Sequence, residues 1–412
     1  MATPPTTPSP TATARRYVIL DASRGFALLG ICLANYGEFS LYTFLPDAVT
    51  AAMPSAATDR VARFFQYFLV DGKFYTIFSL LFGIGFSIIL GNAAARGTDG
   101  LRVFRRRMAF LLLIGLCHLL LLWAGDILIL YAFVGFFLPL FLRVSGRALL
   151  VTAAALLLLP VAMDCAVEAF GWNLSAPVIA ATRYLHGQAG ITEANFPVWL
   201  VESQSYADVL RFNLAGAFIR MQEFIDGHRA FKVLALFLLG LWIGRKRIFA
   251  TLDAWRSPLR RVRLYGFVWG VPLSALYAWS AMSHQPWGLP AHSLLYALSV
   301  VPMALAYMAT IALWYERHPS ARVFALLAAP GRLALTNYVG QSVIGMIVFY
   351  GIGFALGATM GIAQVEVVAL GVFLFQVVFS LLWTCGFRYG PLEWVWRMLI
   401  YGKWLTPRES KE

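Results

Sequence analysis

Apolar runs long enough to cross a bilayer recur along the whole chain, with short basic loops between them. A hydrocarbon core about 30 Å thick takes about 20 residues of helix. Inside it the backbone is satisfied only in helices or closed barrels. Ten such runs are read, at about 17–40, 68–92, 108–124, 126–142, 148–170, 230–244, 264–283, 292–315, 332–356 and 364–387. Only 13% of the 412 residues are charged, against about 25% in a soluble domain. The fold class is therefore all-α, a polytopic membrane protein with a bundle of about ten transmembrane helices.

The formal net charge of +13 would suggest a nucleic-acid partner in a soluble protein. Here about 25 of the 33 Lys and Arg residues fall near the termini and in 96–107, 143–147, 245–263 and 316–322. Basic residues gather in short cytoplasmic loops, so both termini are predicted to be cytoplasmic and no nucleic acid is expected. Cys32, Cys117, Cys165 and Cys385 stand singly in separate apolar stretches, so neither a disulfide framework nor a metal site is expected.

The chain divides into a disordered Pro/Thr/Ala tail at 1–14, an N-terminal five-helix half at 15–170 and an extracytoplasmic interval at 171–229. A second five-helix half follows at 230–387, and then an interfacial tail at 388–412. Within 171–229, SQSYADVLRFNLAGAFIRMQEF reads as an amphipathic helix, suited to a membrane surface. No internal repeat is visible, which disfavours transporters built from inverted repeats.

Ionisable residues inside apolar runs are costly, about 2.5–3.5 kcal/mol each on insertion scales, and so mark candidate sites. The first run, RRYVILDASRGFALLGICLAN, holds Asp21 and Arg24 three apart and Asn35 eleven further on, all on one helical face. The pair serves either a site or the pinning of the first helix. In GLCHLLLLWAGDILILYA, His118 and Asp126 bracket Gly125. One helix over 108–142 would be about 52 Å long, too long for the bilayer, so the chain must turn near Gly125. Imidazoles titrate near neutrality and make good general bases, and a neighbouring carboxylate fixes the tautomer. A His hydrogen-bonded inside a packed bundle is the alternative. Asp71 and Lys73 flank Gly72 at the edge of the second run, and Gly83 and Gly85 follow as small packing residues. Arg332, Asn337, Tyr338 and Gln341 open the ninth run as a second polar stripe. The other histidines, at 186, 228, 284, 292 and 318, are read as loop residues. Pro391 is expected to start an interfacial helix, with Glu393 in its first turn.

Three stretches, LDASRGFALLGICLANY, DGKFYTIFSLLFGIGF with GLCHLLLLWAGDILILYA, and GRLALTNYVGQS with FRYGPLEWVWR, resemble the YeiB-like family of bacterial inner-membrane proteins. The resemblance runs from Arg15 to the C-terminus. More remotely, Asp21, Arg24, Gly25 and Asn35 resemble the signature of the transmembrane acyltransferases, among them heparan-α-glucosaminide N-acetyltransferase and enzymes that O-acetylate polysaccharides. That likeness implies a cytoplasmic acyl-CoA donor and an envelope glycan, lipid or small-molecule acceptor. It places Asp21, Arg24 and Asn35 in the site, and if the chain transfers acyl groups, His118, oriented by Asp126, is the only buried base. Substrate contacts fall to Tyr36, Asp71, Lys73, Tyr131, Asn337, Tyr338 and Gln341, and donor phosphate contacts to Arg105, Arg106 and Arg332. The chain departs from the pattern where the polysaccharide enzymes have a His, here Asn35. It also has no His near Leu45 and Pro46, where the glucosaminide enzyme has its reactive one. A proton-coupled transporter using the same buried residues is the alternative.

Overall fold

The structure is a computed structural model and describes residues 18–407. The expected disordered tail, Arg15 and Arg16 lie outside those residues. All regular elements among the described residues are helical. α1 (Val18–Phe39) is followed by two short helices, α2 (Asp47–Ala52) and α3 (Ala56–Phe65). A π-turn at Gln66–Val70 leads into α4 (Lys73–Ala95). α5 (Gly100–Leu121) and α6 (Leu128–Gly135) form a hairpin, and α7 (Gly146–Phe170) comes next. α8 (Ala176–Ala189), α9 (Trp199–Glu202) and α10 (Tyr206–Asp226) fill the long interval before α11 (Arg229–Arg245). α12 (Arg256–Met282) and α13 (Gly288–Arg317) make a second hairpin. α14 (Arg322–Arg332) and α15 (Ala334–Phe349) are two halves of a broken helix, and α16 (Ile362–Gly386) and α17 (Pro391–Tyr401) end the fold.

Five helices are long and apolar enough to cross a membrane: Val18–Phe39, Ala56–Ala95, Gly146–Phe170, Gly288–Arg317 and Ile362–Gly386. α7 and α16 turn Val151, Leu158, Val367, Leu374 and Leu382 outward, which suits lipid and not water. The chain is a helical membrane protein. α1 packs on α4, α14, α15 and α16, and α11 packs on α4 and α7. Gly83 lets α11 approach closely: a Cβ there would lie 2.1 Å from the Phe237 carbonyl oxygen. Gly85, by contrast, has no such neighbour and lines a cavity.

Two of the ten runs differ from simple spans. The run at 126–142 yields only the eight residues of α6, about 12 Å of helix. The α-helix stops at Gly135 because Pro139 has no N–H to continue the ladder. A 3₁₀ turn follows at Leu138–Phe141, and beyond it Arg245 of α11 donates to the carbonyls of Phe141, Leu142 and Val144 at 2.9, 2.7 and 2.7 Å. Those carbonyls therefore need no further helical turn. The run at 332–356 breaks at Leu333, just after Pro330 and Gly331. The free amides at the start of α15 are then capped from a distance. Glu393 of α17 accepts from the Leu335 and Thr336 amides at 2.7 and 3.1 Å and from the Thr336 hydroxyl at 2.5 Å. Its carboxylate thus serves the α15 terminus as well as the start of its own helix. Burial pushes the carboxyl up from the ordinary range, and these hydrogen bonds pull the other way.

Glu393→Ala orphans two buried amides. The expected cost is about 1–3 kcal/mol for each unsatisfied group, read as a lower thermal midpoint in detergent, with Glu393→Gln in between. A Glu393→Ala midpoint equal to wild type would show that the break needs no cap.

Candidate functional site

A cavity of about 380 Å³ lies between α1, α4, α5, α6, α10, α11, α14, α15 and α17. Its wall follows α1 from Arg24 to Glu38 and α4 from Gly72 to Ile89, about 20–25 Å of helix. That is most of a bilayer core. One end gathers Arg24, Arg107, Arg332 and Arg397 around Glu393, Trp396 and Tyr401. The middle is aromatic, with Phe78, Phe82, Phe86, Tyr131 and Tyr338. The other end carries Asn35, Glu38, Asp71, Arg220 and Arg229. Six arginines face three carboxylates along this wall, so the cavity favours an anion.

The cations differ in how far the protein already satisfies them. Arg24 pairs with Asp21 at 2.6 Å. Arg220 pairs with Glu223 at 2.5 Å and Glu38 at 3.3 Å, and donates to the Ala124 carbonyl. Arg107 lies 4.3 Å from the Trp396 ring centroid, and Arg229 lies 5.8 Å from that of Tyr75. Neither Arg107 nor Arg229 makes a hydrogen bond or ion pair with any described residue. An aromatic face offsets part of a guanidinium charge, about 0.5–2 kcal/mol, and leaves its N–H donors for a ligand.

His118 and Asp126 do meet. The turn at 122–127 brings the carboxylate back onto the imidazole, and His118 Nδ1–H donates to Asp126 Oδ2 at 2.8 Å. Asp126 Oδ1 also accepts from the Ile129 amide at 2.8 Å, capping α6. The carboxylate only accepts, which fixes the tautomer, so Nε2 accepts from the Ser342 hydroxyl at 2.7 Å. All three residues are buried. None of them lines the cavity. Tyr338 links the two: its ring centroid lies 5.1 Å from that of the imidazole, and it also lines the cavity. Ser342 carries no sequence signal for this role, because it joins from 224 residues away.

The remaining residues singled out by the sequence divide between the wall and the packing. Asn35, Asp71, Tyr131, Tyr338 and Arg332 line the cavity with Arg24. Asp71 accepts from the Tyr277 hydroxyl, and Tyr131 bonds Ser79 at 2.7 Å. Tyr36 donates to the Gln341 carbonyl, and Lys73 donates to the Tyr67 carbonyl at 2.7 Å. Asn337 holds Ser380 at 2.9 Å, and Gln341 holds Gln376 at 3.0 Å, tying α15 to α16. These four side chains are buried away from the wall. Arg105 and Arg106 are exposed, Arg106 donating to the Leu399 carbonyl. Their neighbour Arg107 is the one that enters the cavity. His228 is also not a loop residue at the surface. It is buried, with Nε2 2.8 Å from Asp164 Oδ1.

Comparison with known proteins gives the chain its place. Uncharacterized protein YeiB of Escherichia coli (strain K12) is 30% identical over 420 residues, covering 93% of this chain and 96% of its own. The chain belongs to the YeiB-like family. Uncharacterized protein YxaH of Bacillus subtilis (strain 168) is 27% identical, with 96% of each chain covered. A profile described as "Protein of unknown function (DUF418)" matches residues 243–403. That family segment contains Arg332, Tyr338, Ser342, Glu393 and Arg397. No solved structure matches the chain.

Proposed function

We propose that this protein is a membrane-embedded acyltransferase of the bacterial inner membrane, with ten spans and both termini in the cytoplasm. It moves an acyl group from a cytoplasmic acyl-CoA-type donor to an envelope glycan, lipid or small-molecule acceptor. The observation that carries this reading is the long cavity, with clustered arginines at the α17 end and an aromatic middle. Four guanidiniums suit the donor's phosphates, since Arg binds phosphate through charge-assisted, often bidentate bonds. The aromatic stretch suits the pantetheine arm and acyl chain, and the far end suits the acceptor. Asn35 lies towards the acceptor end, where a thioester carbonyl would need a donor for its developing charge. Arg24, eleven residues and about 16 Å away along α1, belongs with the phosphate-binding arginines. Asp126 holds His118 in the tautomer whose Nε2 accepts a proton. Acting as base requires Tyr338 to swing off the wall and Ser342 to yield its hydrogen bond.

The test is acyl-CoA binding to detergent-purified protein by calorimetry. Saturable binding is expected, weakened about tenfold or more by Arg107→Gln, the loss of one charged hydrogen-bonding group of about 1.5–3 kcal/mol. Arg24→Ala is expected to weaken it similarly. His118→Ala is expected to keep donor binding and lose acceptor-dependent CoA release. Absence of binding to well-folded protein would overturn the acyltransferase reading.

The cavity's length and the broken α14–α15 helix in its wall also suit a proton-coupled transporter of an anionic solute. Such a protein has no need of acyl-CoA, so the same titration separates the two readings.

A further inference from the structure

The far end of the cavity holds a cation that the donor site does not use. Arg229 is the first residue of α11, and its setting is fixed from behind. His228 has a left-handed backbone, φ 49°. Its ring is held by Asp164 of α7 at 2.8 Å, and Asp164 in turn accepts from the Ser293 hydroxyl of α13. Three helices thus lock the turn that sends Arg229 to the wall, where the Tyr75 ring covers one side of it. The nearby acids are committed elsewhere, Asp71 to Tyr277 and Glu38 to Arg220. Arg220 is itself occupied by Glu38 and Glu223. What remains is a positioned guanidinium with unused donors, beside Tyr75, on a cavity wall that also carries Val70, Phe74 and Phe78.

We propose that Arg229 is the head-group site for an anionic amphiphile, so that the acceptor bears a phosphate or carboxylate beside an apolar body. This assignment of acceptor class rests on the acyltransferase reading, while the anion site itself does not. Arg229 supplies the charged contact, and the aromatic wall takes the apolar body. The Asp164–His228–Ser293 group acts only by positioning Arg229.

The experiment is calorimetric titration of the full chain, in neutral maltoside detergent, with dodecyl phosphate, dodecanoate and dodecanol. Saturable binding is expected for one or both anions and not for dodecanol, and the stronger anion names the head group. Arg229→Gln is expected to weaken that binding at least about tenfold while acyl-CoA affinity stays at the wild-type value. Arg107→Gln should show the reverse pattern. Arg229→Lys keeps the charge and is expected to fall between, and it serves if the Gln variant does not fold. Equal binding of dodecanol, or anion binding indifferent to Arg229 but sensitive to Arg107, would overturn the proposal. Anion binding through Arg229 without any acyl-CoA binding would keep the site and remove only the acyltransferase reading.

Discussion

Asp126→Ala is expected to cost about 2–6 kcal/mol of stability, enough to leave little folded protein at growth temperature. The substitution orphans two buried donors, His118 Nδ1–H and the Ile129 amide, at about 1–3 kcal/mol each. Total stabilities of about 5–15 kcal/mol leave small room for that loss. The same carboxylate also closes the α5–α6 turn, so the variant loosens the hairpin as well as the imidazole. Asp126→Asn keeps one acceptor oxygen and is expected to lose about half as much. Thermal unfolding in detergent, monitored by intrinsic tryptophan fluorescence, reads both variants. Ser342→Ala separates structure from chemistry. Removing the hydroxyl leaves only the His118 Nε2 acceptor unfilled, a loss of about 1–3 kcal/mol, while freeing the atom that a base would use. A Ser342→Ala variant that folds and keeps acceptor-dependent CoA release, beside a His118→Ala variant that folds and does not, would make Ser342 a holding group for the base. An Asp126→Ala variant with an unchanged midpoint would mean that the hydrogen-bonded relay contributes nothing to the fold.

The turn that brings Asp126 back towards His118 is legible because both ends are local, while the 2.8 Å bond between them is set by how that turn closes. Eight residues, a Gly just before Asp126 and a bilayer limit on helix length leave the chain little choice but to fold back there. The Asp21–Arg24 pair was legible for the same reason, being one helical turn. Arg107 was within reach of the same reasoning. Phe104, Met108 and Leu111 are buried on α5, and Arg107 shares their face by a spacing of three and four. Reading the Arg105–Arg107 run as a loop charge cluster hid that phase. Ser342 and Glu393 were beyond local reasoning, since the first reaches His118 from another helix and the second caps α15 from α17. His228 was misread because its neighbours Gly227 and Arg229 look like loop, whereas Asp164 from α7 buries it. The short α6 follows from Pro139, which has no N–H to give the Gly135 carbonyl, whereas the Arg245 contacts beyond it join α11 from about a hundred residues away.

Gly331→Ala is expected to be, with Gly25→Ala, one of the most damaging single-methyl changes among the described residues. A Cβ at Gly331 would sit 1.8 Å from the Asp21 carbonyl oxygen and 2.8 Å from the Gly25 amide nitrogen. A Cβ at Gly25 would sit 1.8 Å from the Leu327 carbonyl oxygen. Both obstacles are backbone, so no side-chain rotation relieves them, and α1 and α14 must move apart. Ordinary overpacking costs about 1–3 kcal/mol where side chains yield. The loss here is expected to exceed that range and to appear as aggregated or undetectable protein on size-exclusion chromatography. Gly371→Ala is the control, because nothing lies within 4 Å of its Cβ position in α16. There the methyl is expected to stabilise by about 0.5–1 kcal/mol through lower chain entropy. A Gly331→Ala protein that elutes and melts like wild type would show that the α1–α14 seam is slack. The seam also bears on the cavity. Asp21 holds Arg24, and Gly331 precedes Arg332, so the contact that forbids a methyl group also sets two of the four arginines at the α17 end. Any Gly331→Ala protein recovered folded at low temperature is therefore expected to bind the anionic donor more weakly, even though no charge has been removed.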